Sequence, residues 1–448
     1  MASVGAWRVP APSPHRCHPY PHIVRVLVIG SGGREHALCL TFAVDPAVTA
    51  LCCAPGNSGI AELAELAPVE LSSPEQIARL AGRWNADLVV IGPEVPLVAG
   101  AADAVRQAGV ACFGPSAAAA QLEGSKSFAK QIMHKAGVPT AVSRTCSSMA
   151  QATQAFGEFG PPYVVKDDAL AAGKGVVVTT DRDVALNHAM ACERVVIEQY
   201  LDGPEVSLQV VTDGVTAVPL LPAQDFKRLG DGDAGPNTGG MGAYCPLPWL
   251  PSGFTEQMMS SVVHPTLTEL RQADIPFSGM LYVGLALTSA GPKVVEFNAR
   301  FGDPEAEAVL PLLATPLASL LHAAATGTLA QQPAPRWREE SAVTVVLASR
   351  GYPTDTHSGE EIPGFLASAD QAVDDVHIFH AGTTRDDRKR LITSGGRVFA
   401  VTGLGGDLAQ ARDRAYRAAS TITFDGAHFR RDIAAAAIDG VLAAGARR

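Results

Sequence analysis

Residues 24–38, VRVLVIGSGGREHAL, set the first domain: an apolar run broken only by Arg25 leads into a glycine turn and then into an alanine- and leucine-bearing segment. A near-continuous apolar run of this kind reads as a strand buried on both faces, which parallel sheets require, and the segment after the turn reads as a helix. The chain therefore opens as an open α/β domain. The turn presents backbone N–H groups to an anion. A dinucleotide fingerprint needs a third glycine three residues after Gly32, and Glu35 stands there, which argues against a dehydrogenase.

The β-α-β rhythm continues beyond that segment. Ser73-Pro74-Glu75-Gln76 has capping-box spacing with proline at the first helical position, and the helix it opens leads into ADLVVIGPE (residues 86–94), another buried strand. Gly92-Pro93-Glu94 and Gly114-Pro115-Ser116 end strands at the carboxyl edge, where open α/β sheets bind ligands. After Gly124 the pattern changes. SKSFAKQIMHKAGVP (125–139) reads as an amphipathic helix, PPYVVKDDALAAGKGVVVTT (161–180) as strand, glycine loop, strand, and RVVIEQYLDGPEVSLQVV (194–211) as a strand pair. Around 331–335 the composition is that of a linker. Beyond it, SAVTVVLASRGYP, HIFHAGTT and RVFAVTGLGGDLAQARDRAYRAA read as strands and a closing helix, none of it catalytic in character.

The 448 residues, 47% hydrophobic and 18% charged, suit a soluble protein of two to four domains. A formal net charge of -10 argues against a nucleic-acid or anionic-membrane surface as the main partner and leaves room for a local basic phosphate pocket. Eight cysteines without a CxxC spacing predict neither a zinc site nor a disulfide framework, so the thiols are expected reduced in the cytoplasm. Residues 1–23 carry prolines at 10, 12, 14, 19 and 21 and no apolar h-region, which predicts a disordered extension and neither a signal peptide nor a membrane span.

KVVEFNARFGDPE (293–305) carries the chemistry. Strand alternation puts Glu296, Asn298 and Arg300 on one face and Val295 and Phe297 on the other. Glu296 and Asn298 are oxygen ligands suited to Mg²⁺ beside nucleotide phosphates, and Arg300 is a fork for phosphate or carboxylate. Ala172-Gly173-Lys174-Gly175 is not a Walker A loop, since Asp168 and Gly175 stand where glycine and Ser/Thr belong and a strand follows. A glycine hairpin between strands can still cover a triphosphate, with Lys126, Lys166, Glu198 and Glu205 around it.

GSKSFAK, VVKDDALAAGKGV, VVIEQYLDGPEVS and VVEFNARFGDPE, in that order, resemble the ATP-grasp ligases. The loop QDFKRLGDGDAGPNTGGMGAYCP, with VLVIGSGGREHA, APGNSG and GPEVPLVAG, narrows the resemblance to the phosphoribosylamine-glycine ligase family of purine biosynthesis. The resemblance implies a Rossmann-like N-terminal α/β domain (24–123), an ATP-grasp domain (124–330) with a mobile subdomain at about 141–207, and a small mixed C-terminal domain (331–448). It implies ATP with Mg²⁺ or Mn²⁺, glycine and 5-phosphoribosylamine as small-molecule partners, and a monomer or weak homodimer. By motif position Lys126 and Lys166 contact phosphates, Gly173, Lys174 and Gly175 form the covering loop, and Glu198 and Glu205 hold adenine and ribose. Glu296 and Asn298 resemble the metal ligands. Arg300 and Asp303, with Asp225 and Lys227, lie where glycine meets the phosphoryl group, Arg300, Lys166 and Asp225 being the catalytic set. Asn237, Thr238 and Gly239 contact substrate, and Gly32, Glu35, Asn57 and Glu94 help to form the phosphoribosylamine side. The implied route is glycyl phosphate, with another ATP-grasp ligase or a catalytically lost nucleotide-binding protein as alternatives.

The chain departs from that family where Lys-Ala-Asp-Gly reads Lys166-Asp167-Asp168-Ala169 and where Phe226 replaces histidine. If the family's glycine there needs a left-handed backbone, Ala169 costs about 1 kcal/mol and slows loop closure. Asp167 is expected to face away from Lys166.

Overall fold

The computed structural model describes residues 24–170, 175–363 and 375–442. The glycine-loop residues Gly173 and Lys174 and the extension 1–23 lie outside them. The apolar run at 24–30 is the centre of a five-stranded parallel sheet, β3-β2-β1-β4-β5, made of β1 (Val24–Gly30), β2 (Val48–Pro55), β3 (Glu65–Leu66), β4 (Leu88–Ile91) and β5 (Ala111–Phe113). Val26, Leu27, Val28 and Ile29 are all fully buried, as a strand covered on both faces demands. Helices Gly33–Ala43 and Pro74–Arg83 follow their strands, and the second starts where the capping signal placed it, with the Gln76 N–H donating to Ser73 Oγ at 3.4 Å.

A second sheet, β6-β9-β7-β8, is antiparallel: β6 (Ser143–Cys146), β7 (Tyr163–Asp167), β8 (Val176–Thr179) and β9 (Val195–Glu198). It packs on helices Met149–Phe159 and Arg182–Ala191 through an apolar cluster of its own that includes Phe156, Val165, Ala185 and Ile197. A third sheet, β11-β10-β16-β17, joins β10 (Glu205–Thr212), β11 (Ala217–Pro219), β16 (Gly279–Thr288) and β17 (Gly291–Asn298). Its Val206, Val283 and Phe297 share one continuous core with Leu27 of the first sheet and Val345 of the fourth.

The expected strand pair at 194–211 is corrected here, because β9 and β10 belong to different sheets. Gly203, at φ +90°, makes the turn between them, and a Cβ there would lie 2.2 Å from the Leu287 carbonyl oxygen. The fourth sheet, β12-β15-β18-β22-β19, is built from β12 (Gln224–Asp225), β15 (Gly242–Cys245), β18 (Ser341–Ala348), β19 (Val376–His380) and β22 (Arg397–Gly405), so strands from both sides of 331–335 pair in it. Hairpins β13 (Arg228–Gly230)–β14 (Ala234–Asn237) and β20 (Thr383–Arg385)–β21 (Leu391–Thr393) complete the strands. Among the described residues no helix is long and apolar enough to cross a membrane.

Candidate active site

Strand β17 departs from simple alternation. Its pairing with β16 slips between Gly284 and Leu285, so Glu296 faces Gly284 while Val294 faces Leu285, and Val295 is the extra residue of a bulge. Val294 and Phe297 are the core residues, at 0% and 2% exposure, and Val295, expected inside, is half-buried. The bulge turns the Val295 carbonyl toward β7, where it accepts from Lys166 Nζ at 2.9 Å. The strand ends at Asn298, so Arg300 stands beyond it and reaches the site from the following turn.

Glu296 and Asn298 lie side by side in a field of cations. Burial would raise the Glu296 carboxyl, but Lys227, Lys166, Lys126 and Arg300 outweigh it and hold it down to about 2. Lys227 Nζ is 3.6 Å from Glu296 Oε1 and donates to Glu205 Oε2 at 2.6 Å, tying β17 to β10. Burial lifts the Asp225 carboxyl to about 8 against the pull of Lys227, with Glu305, Glu205 and Glu296 adding to the rise. Asn298, oriented with its amide nitrogen toward Glu123 Oε1 (3.1 Å) and the Phe297 carbonyl (3.3 Å), turns its oxygen to the other side.

Lys166 also pairs with Glu198 Oε1, and the other oxygen of that carboxylate accepts from Lys130 Nζ at 2.5 Å. Lys130 further donates to Thr140 Oγ1 (2.8 Å) and the Ala141 carbonyl (3.2 Å). The two lysines hold Glu198 below the ordinary carboxylate range although burial works the other way. Sequence reading missed Lys130, which lies one turn after Lys126 on the same face of helix Lys126–Lys135, a spacing that takes on meaning only once Glu198 is seen beside it. Asp168, read only as a residue in a glycine's place, accepts from Ser127 N (2.8 Å), Ser127 Oγ (2.6 Å), Ser125 Oγ (3.0 Å) and Arg194 Nε (2.5 Å). It fastens the end of β7 to the start of the helix that carries Lys126.

Arg300 joins this centre to the first domain. Its Nη2 is 3.0 Å from Glu123 Oε1 and its Nε 3.5 Å from Glu94 Oε2, while Nη1 donates to the Phe301 carbonyl at 3.1 Å. Burial lifts the Glu123 carboxyl despite Arg300, whereas, against its own desolvation, the half-buried Glu94 is drawn down by Arg300 and Arg34. The Gly32 N–H is taken by Glu35 Oε2 at 2.6 Å, and Gly92 lacks the Cβ that would collide with that carboxylate at 1.9 Å. Asn57 is a brace: its Nδ2 donates to the Ser31 (2.9 Å) and His380 (2.8 Å) carbonyls, and its Oδ1 accepts from the Gly59 and Ile60 N–H groups.

The C-terminal region, which carries no catalytic signal in its sequence, reaches the same place. Arg397 Nη1 lies 3.1 Å from Asp303 Oδ1 and donates to the Asp303 (2.8 Å) and Gly239 (2.7 Å) carbonyls, and the Gly239 N–H donates to the Tyr352 hydroxyl at 2.9 Å. Asn237 Nδ2 donates to the Val176 carbonyl at 3.2 Å, linking the long loop to β8, and Thr238 returns to the Lys227 carbonyl through Oγ1 at 2.9 Å. The condition for strain at Ala169 is not met: the described non-glycine residues with positive φ are Asn85, Asp233, Asp274, Asp375, Lys389 and Ala434, so Ala169 carries no left-handed penalty. Asp167 faces Cys192, whose thiol it helps to raise after burial, and not Lys166. The Gly175 carbonyl accepts from Asp167 N at 2.7 Å, closing the base of the glycine loop.

Comparison with known proteins agrees with this arrangement. Profiles of the phosphoribosylglycinamide synthetase N domain, ATP-grasp (A) domain and C domain match residues 24–123, 124–306 and 342–436. The phosphoribosylamine-glycine ligase of Streptomyces coelicolor is 58% identical over 414 residues, 92% of this chain and 99% of that protein. The Mycobacterium leprae enzyme of the same name is 55% identical, covering 93% and 99%. Among solved structures, the phosphoribosylamine-glycine ligase of Thermotoga maritima superposes with a TM-score of 0.79 at 32% identity, over 92% of this chain and 100% of that one. The chain belongs to the phosphoribosylglycinamide synthetase family of ATP-grasp enzymes.

Proposed function

We propose that the chain ligates glycine to 5-phosphoribosylamine at the expense of ATP, yielding glycinamide ribonucleotide, ADP and phosphate, a step of purine biosynthesis. The observation that carries this reading is the convergence of Lys166, Lys227, Glu296 and Arg300 from separate strands and turns upon one small volume. A glycine carboxylate oxygen attacks the γ-phosphorus, the bond to the bridging oxygen breaks, and its electron pair leaves on ADP. The phosphoribosylamine nitrogen then attacks the acyl carbon of glycyl phosphate, loses a proton, and phosphate departs. Phosphoryl transfer asks for positioning and charge stabilisation and no protein nucleophile, which suits lysines, an arginine and carboxylates.

In this reading Lys166 and Lys126 take phosphate charge, Arg300 and Lys227 hold the glycine carboxylate near it, and the turn of Gly32 and Glu35, with Glu94, forms the side of the amine substrate. Asp303, held by Arg397, is assigned to the glycine side with Arg300 and Lys227. Among the described residues no cluster of three or more His, Cys, Asp or Glu is placed to hold a metal, so the metal reading stands on Glu296 with Asn298. Their chemistry fits magnesium, or manganese: an ionised carboxylate and a carboxamide oxygen on one strand, with the remaining positions left to phosphate and water. Such an ion neutralises charge on the phosphates when bound.

The test is ADP release with Mg·ATP and freshly made phosphoribosylamine, with glycine present, omitted, or replaced by alanine. Release that needs both glycine and phosphoribosylamine supports the ligase. ATP binding without it moves the assignment to another acceptor or to a binding protein.

A further inference from the structure

The loop that bears Asp225 and Lys227 is gripped from behind by the C-terminal segment. Arg430 is 1% exposed, and its guanidinium makes four hydrogen bonds. Nε and Nη2 donate to Asp432 Oδ1 and Oδ2 at 2.7 and 2.6 Å, and Nη1 donates to Asp233 Oδ1 at 2.9 Å and to the Arg228 carbonyl at 3.2 Å. Its Cζ stands 4.8 Å from the centre of the Phe226 ring. The neighbours of Arg430 repeat the grip: the Gly232 N–H donates to Asp432 Oδ2 (2.9 Å), the Arg431 N–H to Asp231 Oδ1 (2.7 Å), and His428 Nε2 is 3.0 Å from the Leu229 carbonyl oxygen.

Phe226 is the residue between Asp225 and Lys227, and in extended chain its side chain leaves on the opposite face from theirs. Its backbone is fixed by Phe226 N to Gly242 O (2.9 Å) and Met241 N to Phe226 O (2.8 Å). The ring is therefore the back of the segment whose front carries Asp225 and Lys227, and the Arg430 fork presses on that back. A buried guanidinium needs every partner it has, and these partners span Phe226 to Asp233.

We infer that Arg430, locked by Asp432, is a positioning residue for this ligase, setting the height and register of the Asp225–Lys227 front from the C-terminal segment. The inference rests on the reaction proposed above. It also gives the phenylalanine at 226 a role, because its aromatic face receives the guanidinium.

Arg430→Lys keeps the charge and loses the planar fork, and Asp432→Asn keeps the shape and loses the charged clamp. Steady-state kinetics of both are compared with the parent chain, varying glycine and ATP separately, alongside thermal midpoints. The expected result is a fall of about ten-fold or more in kcat/KM for glycine in Arg430→Lys, a smaller fall in Asp432→Asn, and an ATP KM within about two-fold of the parent. Parent-like glycine kinetics in both variants overturns the inference. Equal losses toward glycine and ATP that follow the thermal midpoint overturn it too, since that is what general loosening produces. Should Arg430→Lys fail to fold, Asp432→Asn, altered at a side chain 31% exposed, decides between the same outcomes. A parent chain that releases no ADP overturns the ligase reading itself, which the variant comparison keeps separate.

Discussion

Glu296 shows what one residue type does when its surroundings are chosen for it. A partly exposed carboxylate among Lys227, Lys166 and Lys126 stays ionised at any physiological pH, available as a ligand and costing the fold little. Glu296→Ala is expected to lower Mg·ATP-dependent ADP release by about 100-fold or more, the scale of several kcal/mol of lost charge stabilisation. Lys227 keeps Glu205 at 2.6 Å, so the unfolding free energy should move by no more than about 1 kcal/mol. Turnover near that of the parent, in the ADP-release assay, would remove Glu296 from the metal site. The pair Glu296 and Asn298 could be picked out in the sequence because a carboxylate and a carboxamide two apart in an apolar strand have no packing use. Lys130 could not be told from any other lysine on an amphipathic helix until Glu198 was seen beside it, for its spacing from Lys126 gains meaning only with that partner.

Strand β17 and the β7 end are where local patterning and tertiary contact part. Period-two alternation correctly separates Glu296 and Asn298 from Phe297, but it cannot foresee the bulge that moves Val295 aside and offers its carbonyl to Lys166. Asp168 is a tie of the same kind between β7 and helix Lys126–Lys135. Asp168→Ala strips the acceptor from the Ser127 N–H, itself in a residue 8% exposed, and should cost about 1–3 kcal/mol of stability. Because the helix start carries Lys126, the KM for ATP should rise by about ten-fold, again roughly the effect of 1.4 kcal/mol. Denaturant midpoints and ATP titrations read the two effects independently, and an unchanged ATP KM would confine Asp168 to the fold.

Across the full chain, the first and last domains meet through histidines. His36, on helix Gly33–Ala43, accepts from the His380 N–H of β19 at 2.8 Å, and His380 Nδ1 lies 2.9 Å from Thr383 Oγ1. Burial depresses His36 from 6.5 to about 4, aided by His377, and depresses His380 to about 3, aided by His36 and Arg385. The unfolded chain takes these protons near pH 6.5 while the folded chain refuses them until about 4 or below, so the unfolded state binds more protons in between. Stability is thus full above pH 6.5 and falls as pH drops toward 4, by up to about 1.4 kcal/mol per pH unit for each histidine. His36→Gln should flatten the dependence of urea midpoints on pH between 7 and about 4.5, and parallel profiles for variant and parent would dismiss the histidine junction as its source.

Contiguous residues were enough to specify the parallel first sheet, the helix starts at Ser73 and Ser125, the carboxylate and carboxamide two apart on β17, and the family. Each of these is written through periodicity, capping or turn chemistry, which act over a few positions. Three-dimensional packing alone settled that β9 and β10 part into different sheets, that Glu198 is shared by Lys130 and Lys166, and that Arg397 holds Asp303 from 94 positions away. The Arg430 grip on the 226–233 loop spans some 200 positions in the same way. Such pairings depend on how sheets stack and where loops return, and an arginine in a strand or near a terminus carries no local mark of the partner it will meet.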